Sequence, residues 1–380
     1  MATERQSQAE PDQQPLEPAS RQPPTKNRAI PLRVIVLLAL LIIAVVAGAT
    51  LAPGGSAPIA RAPGIQAAQT VIAQRPPAIS NSPVCPIMRT GPTFGISLLD
   101  VTTGQALCER NPNGIAQPAS TTKVMTALLT GTYLRTHHLG LDTLLTIKQV
   151  DKDVEKDAAV AYLQVGQVYS ICTLLYMASI LSAADATMAL ARFVAGSRSA
   201  FVTLMNAKAR QLGMLHTHYS SPYGYAKTSL DHWQRGESVS VGNYSSAHDM
   251  ALLMRAFASY PELVSIFGAH DYHAGFIWLN RASGYVLPDS WVGLSASDNM
   301  PVHNLHLPFQ VLAVKKGCMW CTEAIHKLSY VLLVRFRQQT ISAAFLYTTQ
   351  NYANPLVGDM LPTLLWAFHQ CSQPAYSHYC

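Results

Sequence analysis

Strand-like runs at both ends of the chain enclose a middle made of helix-like runs, and this order restricts the fold more than any other feature. "TFGISLLDVTTGQALCERNP" (93–112) reads as two strands joined by a turn at Thr103-Gly104. Far along the chain, "FQVLAVKKG" (309–317), "KLSYVLLVRFR" (327–337) and "TISAAFLYTT" (340–349) read as three more strands, and "VGDMLPTLLWAFHQC" (357–371) as a closing helix. Between them, "STTKVMTALLTGTYLRTHH" (120–138) predicts a buried helix, and "TLLYMASILSAADATMALARFVAG" (173–196) two helices broken at "SAAD". "AFVTLMNAKARQLGM" (200–214) predicts an amphipathic helix ended by Gly213, and "SSAHDMALLMRAFASYPEL" (245–263) another, capped by Ser245 or Ser246. The order predicts an α+β domain: one antiparallel sheet assembled from distant parts of the chain, with a helical cluster inserted.

Ahead of this domain, "VIVLLALLIIAVVAGATL" (Val34 to Leu51) runs for 18 residues without a charge, the lower limit for one bilayer-crossing helix. Arg21, Lys26, Arg28 and Arg33 precede it and only Arg61 follows at similar distance, which predicts a cytoplasmic N-terminus and an exported remainder. "AGA" at 47–49 also suits cleavage of a signal peptide, but the long polar leader favours a retained anchor. The expected organisation is a disordered cytoplasmic tail (1–33), a transmembrane signal anchor (34–52), an Ala/Pro-rich linker (53–84), the folded domain (85–372) and a C-terminal tail (373–380). The net charge of +6 is dispersed, with no Lys/Arg stripe interleaved with aromatics, so no nucleic-acid partner is expected.

Seven cysteines (Cys85, Cys108, Cys172, Cys318, Cys321, Cys371 and Cys380) permit disulfides in an exported chain, and the odd number leaves at least one thiol without an intrachain partner. "CMWC" (318–321) has redox or half-zinc spacing. There is no second such pair, and His303, His306 and His326 do not complete a ligand spacing, so no metal and no organic cofactor are expected.

The chemistry-bearing stretch is "AQPASTTKVMTALLTGTYL" (116–134). A serine hydroxyl attacks only when a neighbouring base takes its proton, and three positions along a helix bring Lys123 to the same face as Ser120. The unpaired N–H groups of a helix start also suit an oxyanion. The plain alternative is a helix capped by Ser120 with a solvated Lys123.

In its wider setting the stretch resembles the D-alanyl-D-alanine carboxypeptidases, the low-molecular-weight penicillin-binding serine peptidases with a β-lactamase-like fold. "LLDVTTGQALCERNPNGIAQPASTTKVMTALLT", "LQVGQVYSICTLLYMASILSAADATMALA", "FVTLMNAKARQLGMLHTHYSSPYGY" and "YSSAHDMALLMRAFASYPEL" carry the resemblance, in order, over roughly 85–370. It implies that Ser120 is acylated, that Lys123 takes its proton and that Ser182, opening "SAAD", relays protons at the leaving group. It further implies that Lys315 of "KKG" holds the substrate carboxylate and that Gly317 keeps the strand bare. The N–H groups of Ser120 and Cys318 would form the oxyanion hole. The implied substrates are peptidoglycan stem peptides ending in D-Ala-D-Ala, with β-lactams as covalent ligands. The implied location is the bacterial cell membrane, spanned once, with the site outside the cytoplasm.

Two positions depart from the family pattern. Ala184 stands where an asparagine is expected, and Lys316 replaces a threonine, so either Lys315 or Lys316 could enter the site. These departures leave room for a slow enzyme or for a penicillin- or wall-binding pseudoenzyme. A β-lactamase would need an added carboxylate for deacylation, for which "VEKDAAV" offers Glu155. As a helix cap, Ser182 would be purely structural.

Overall fold

Alternation along the strands sets the architecture of the domain. The structure, a computed structural model, describes residues 83–85, 93–156, 158–224, 242–269, 271–274, 277–280, 308–319, 327–348 and 360–369. The expected tail, membrane span, most of the linker and the C-terminal tail lie outside the described residues, as do Cys321, Cys371 and Cys380. Among the described residues no single helix is long and apolar enough to cross a membrane.

The N-terminal hairpin forms as expected, from β1 (Gly95–Asp100) and β2 (Ala106–Arg110), with Gly104 at positive φ in the turn. A 3-10 turn (Ala119–Thr122) leads into α1 (Lys123–Thr136). A small hairpin of β3 (Leu144–Thr146) and β4 (Val168–Ser170) follows, then α2 (Ile171–Ile180), α3 (Ala184–Ala195) and α4 (Arg198–Gln211). The helix expected over 245–263 is instead two, α5 (Ala247–Phe257) and α6 (Pro261–Gly268), bent by 115°. The cause is Pro261, which has no N–H to continue a helix but suits the first turn of a new one. Ser246, rather than Ser245, is the cap: its hydroxyl accepts from Asp249 N. The hairpin of β5 (Asp271–Ala274) and β6 (Ile277–Asn280) precedes β7 (Gln310–Met319), β8 (Lys327–Phe336), β9 (Gln339–Thr348) and α7 (Met360–Ala367).

The main sheet runs β2-β1-β9-β8-β7, with every neighbouring pair antiparallel. The N-terminal hairpin thus joins the late strands in one antiparallel sheet, as the enclosing pattern predicted, and does so through β1 on β9. Side chains alternate between two cores. Ala313, Val331, Leu333, Ala344 and Leu346 pack with the helices α1–α6, while Val314, Tyr330, Leu332, Val334 and Phe345 pack with α7 on the other face. Burial on both faces is why β8 and β9 read as nearly unbroken apolar runs.

A disulfide joins Cys85 to Cys108 across 23 residues, and Glu109 N donates to Pro83 O at 2.9 Å, so the folded part includes residues assigned by sequence to the linker. Chain-entropy reasoning for a loop of this length gives about 3 kcal/mol of stabilisation. The double substitution Cys85→Ala/Cys108→Ala is expected to lower the unfolding free energy by about that amount, read as an earlier urea midpoint with a slope that rises as the released chain expands on unfolding. Cys172 is a free thiol and Cys318 is disulfide-bonded to a partner outside the described residues.

Candidate active site

The 3-10 turn explains the geometry of the Ser-x-x-Lys pair better than an α-helix would. With three residues per turn, positions i and i+3 eclipse, so Lys123 lies directly over Ser120. Lys123 Nζ donates to Ser120 Oγ at 2.8 Å and to the Tyr223 carbonyl at 2.9 Å. Lys123 is only 2% exposed, which rules out the solvated surface lysine. Ser120 is not the helix cap of the plain alternative either: it sits inside the 3-10 turn, whose own cap is Pro118. Ala119, just before it, holds a positive φ of 49°, a conformation that costs a non-glycine residue roughly 1–2 kcal/mol.

The turn is fastened from outside by loop 220–224. Asn243 Oδ1 accepts from the N–H groups of Ser220 and Ser221, and its Nδ2 donates to Ser221 O and Thr122 Oγ1. Thr126 Oγ1 donates to Pro222 O at 2.7 Å. At Gly224, with φ +89°, a Cβ would stand 1.8 Å from the Ala119 carbonyl oxygen, so the two backbones touch there.

The second motif arrives on α3. Ser182 is fully buried at φ 57°, and its Oγ has no hydrogen-bond partner. The α3 cap is Ala183, so Ser182 is not the structural cap that its position allowed. A strained backbone bearing a buried unsatisfied hydroxyl carries two costs at one residue, a combination that marks functional positions. Ala184 is buried against Tyr223 and Met188, with Val154 and Ala158 alongside. The place of the expected asparagine is therefore apolar. Asp185 Oδ1 accepts from Ala161 N and its Oδ2 from Leu163 N, and Arg192 clasps Asp151 at 2.6 and 2.8 Å. These carboxylates hold segment 149–163 against α3 and position Glu155. Glu155 accepts from the Tyr223 hydroxyl and lies 3.8 Å from Arg198. Burial, reinforced by the Glu155 partner, pushes the Tyr223 phenol far above its usual range, so it is a neutral donor.

The third motif lies on β7, at the edge of the sheet. A Cβ at Gly317 would meet Pro118 O at 2.5 Å and Ser120 N at 3.0 Å, so only glycine allows the strand to approach the nucleophile turn this closely. Alternation puts the two lysines on opposite faces of the sheet. Lys315 shares the helix-side face with Ala313 and Gly317, whereas Lys316 and Cys318 share the opposite face with Val314. Both lysines are buried, and Lys315 Nζ donates to Lys316 O at 3.0 Å. Ser120, Lys123 and Gly317 are thus brought together, Tyr223 links Lys123 to Ala184 of the "SAAD" turn, and Lys315 starts from the same face of β7 as Gly317 while Lys316 and Cys318 start from the opposite one. Sequence reasoning missed Tyr223, Gly224 and Asn243. The turn signal of Pro222 and Gly224 was the one available clue to the first two. Among the described residues no group of three His, Cys, Asp or Glu side chains is placed to hold a metal.

The sequence profile of the D-alanyl-D-alanine carboxypeptidase family matches residues 95–289. Curated relatives include D-alanyl-D-alanine carboxypeptidase DacA of Escherichia coli, 32% identical over 48% of this chain and 44% of its own. The D-alanyl-D-alanine endopeptidase of Pseudomonas aeruginosa is 31% identical over 51% of this chain and 56% of its own. This chain spans about half the length of the curated relatives it matches. In three dimensions it is similar to a D-alanyl-D-alanine carboxypeptidase of Mycobacterium tuberculosis, with a TM-score of 0.57 and 22% identity over 77% of this chain and 97% of the other. Penicillin-binding protein 6B of Escherichia coli gives a TM-score of 0.56 and 22% identity over 75% and 80%.

Proposed function

Because the chain belongs to the D-alanyl-D-alanine carboxypeptidase family, we propose that it removes the terminal D-alanine from peptidoglycan stem peptides through an acyl-enzyme on Ser120. The observation that carries the proposal is the part-buried 2.8 Å contact between Lys123 Nζ and Ser120 Oγ at a turn pressed against an edge strand. The peptide lies along β7, adding a strand to it. Lys315 supplies the cation for the terminal carboxylate. Lys123 takes the Ser120 proton as Oγ attacks the amide carbon. The N–H groups of Ser120 and Cys318 receive the oxyanion, each such donor contributing about 3–4 kcal/mol. Ser182 passes a proton to the departing amine, D-alanine leaves, and water then releases the shortened peptide from Ser120. A β-lactam ring opens on the same oxygen.

Lys316 is left outside this scheme, its side chain directed to the other face of the sheet. The β-lactamase reading loses support from Glu155, whose carboxylate is engaged by Tyr223 and Arg198. A second reading, a pseudoenzyme that acylates without turning over, is favoured by one observation: Ala184 offers no amide to a substrate. The uncharged run 34–51 and the flanking basic residues support a single membrane span with the site outside the cytoplasm, where disulfides such as Cys85–Cys108 persist.

The test is release of free D-alanine from a peptide ending in D-Ala-D-Ala. The carboxypeptidase reading predicts release by the wild type and none by Ser120→Ala. Acylation by a β-lactam without D-alanine release would favour the pseudoenzyme.

A further inference from the structure

Lys123 is usable as a base only while its amine points at Ser120, and one group that holds it there belongs to a residue 100 positions away. Tyr223 does this with its backbone carbonyl, 2.9 Å from Nζ, while the face of its own ring lies 6.0 Å from the same nitrogen. The ring is 2% exposed and fills the space beside Ala184 and Met188. Its far end is fixed. The hydroxyl donates to Glu155, the Arg198 guanidinium stands 5.5 Å over the ring, and the same guanidinium lies 3.8 Å from Glu155. A larger side chain at 184 would have to displace the ring, so the small residue at 184 and the aromatic at 223 require one another.

Resting on the acyl-transfer reading above, we propose that Tyr223, clamped by Glu155 and Arg198, is the positioning residue for Lys123 and takes the place that Ala184 leaves open. In this arrangement the clamp sets the carbonyl, the carbonyl sets the amine, and the amine stays aimed at Oγ. Tyr223 touches no reacting atom itself. Glu155 is thus part of the positioning apparatus, with no direct role toward a deacylating water.

The experiment measures the second-order rate of acylation by a labelled penicillin across pH on the full chain. It compares wild type, Tyr223→Phe, Tyr223→Ala, Glu155→Gln, Ala184→Asn and the double variant Tyr223→Ala/Ala184→Asn. A misplaced base loses rate steeply, about 10²-fold for an error near 1 Å. Tyr223→Ala is expected to fall by about that factor. Tyr223→Phe and Glu155→Gln are expected to fall about tenfold, with a displaced pH profile and unchanged non-covalent penicillin affinity. Ala184→Asn alone is expected to slow acylation, yet to recover part of the loss in the Tyr223→Ala background. Wild-type rates and pH profiles in Tyr223→Phe and Glu155→Gln would overturn the proposal, as would faster acylation by Ala184→Asn alone. A 13C-lysine NMR titration of Lys123 in wild type and Tyr223→Phe provides a readout without turnover. If wild type is never acylated, the acyl-enzyme reading fails. A Lys123 titration that Tyr223→Phe shifts still supports the positioning role, and an identical titration removes it.

Discussion

Replacing Gly224 by alanine is expected to abolish acylation of Ser120 and to lower the melting temperature markedly. The added Cβ would stand 1.8 Å from the Ala119 carbonyl oxygen and 2.9 Å from Thr122 Oγ1, and the residue would be held at φ +89°. Left-handed strain contributes about 1–2 kcal/mol, and forced movement of packed backbone adds about 1–3 kcal/mol. The total of about 2–5 kcal/mol corresponds to a fall of roughly 5–15 °C for a domain of this size. Activity goes further than stability, because the loop that must move carries the Tyr223 carbonyl that holds Lys123. Scanning calorimetry beside penicillin labelling separates the two effects. A variant that melts like wild type and labels normally would mean that loop and turn do not touch.

Lys123→Met should separate activity from stability in the opposite direction. Removing the base is expected to slow acylation by about 10²–10⁴-fold. The lysine is 2% exposed, and burying its polar amine there carries a desolvation penalty that a thioether of similar length lacks. Unfolding free energy is therefore expected to stay level or rise, read by urea denaturation, with rate lost and stability kept. A large loss of stability would assign Lys123 a structural role.

How far the sequence reveals this molecule varies by element. β8 and β9 are legible because burial on both faces leaves nearly unbroken apolar runs, and β1–β2 because Gly104 supplies the turn. The three-residue strands β3 and β4 bury none of their residues, leaving no periodicity to read. Proline at 261 splits a helix whose apolar spacing continues across the break. At the site, Ser120 and Lys123 are local in sequence and legible. Lys315 and Lys316 are adjacent and chemically alike, so only the face of the strand separates them, and that is fixed by the contact of Gly317 with the turn. Tyr223 and Asn243 act through a carbonyl and an amide on loops about a hundred residues from Lys123 and Thr122, where local pattern gives no signal.

All of the proposed chemistry begins at Ser120, as a live nucleophile activated by Lys123. Incubation with benzylpenicillin followed by intact-mass measurement and peptide mapping tests it most directly. The expected result is one adduct of the mass of the intact drug, located on the peptide bearing Ser120 and absent from Ser120→Ala. A wild-type chain that stays unmodified at saturating drug, or an adduct that persists in Ser120→Ala, would contradict it.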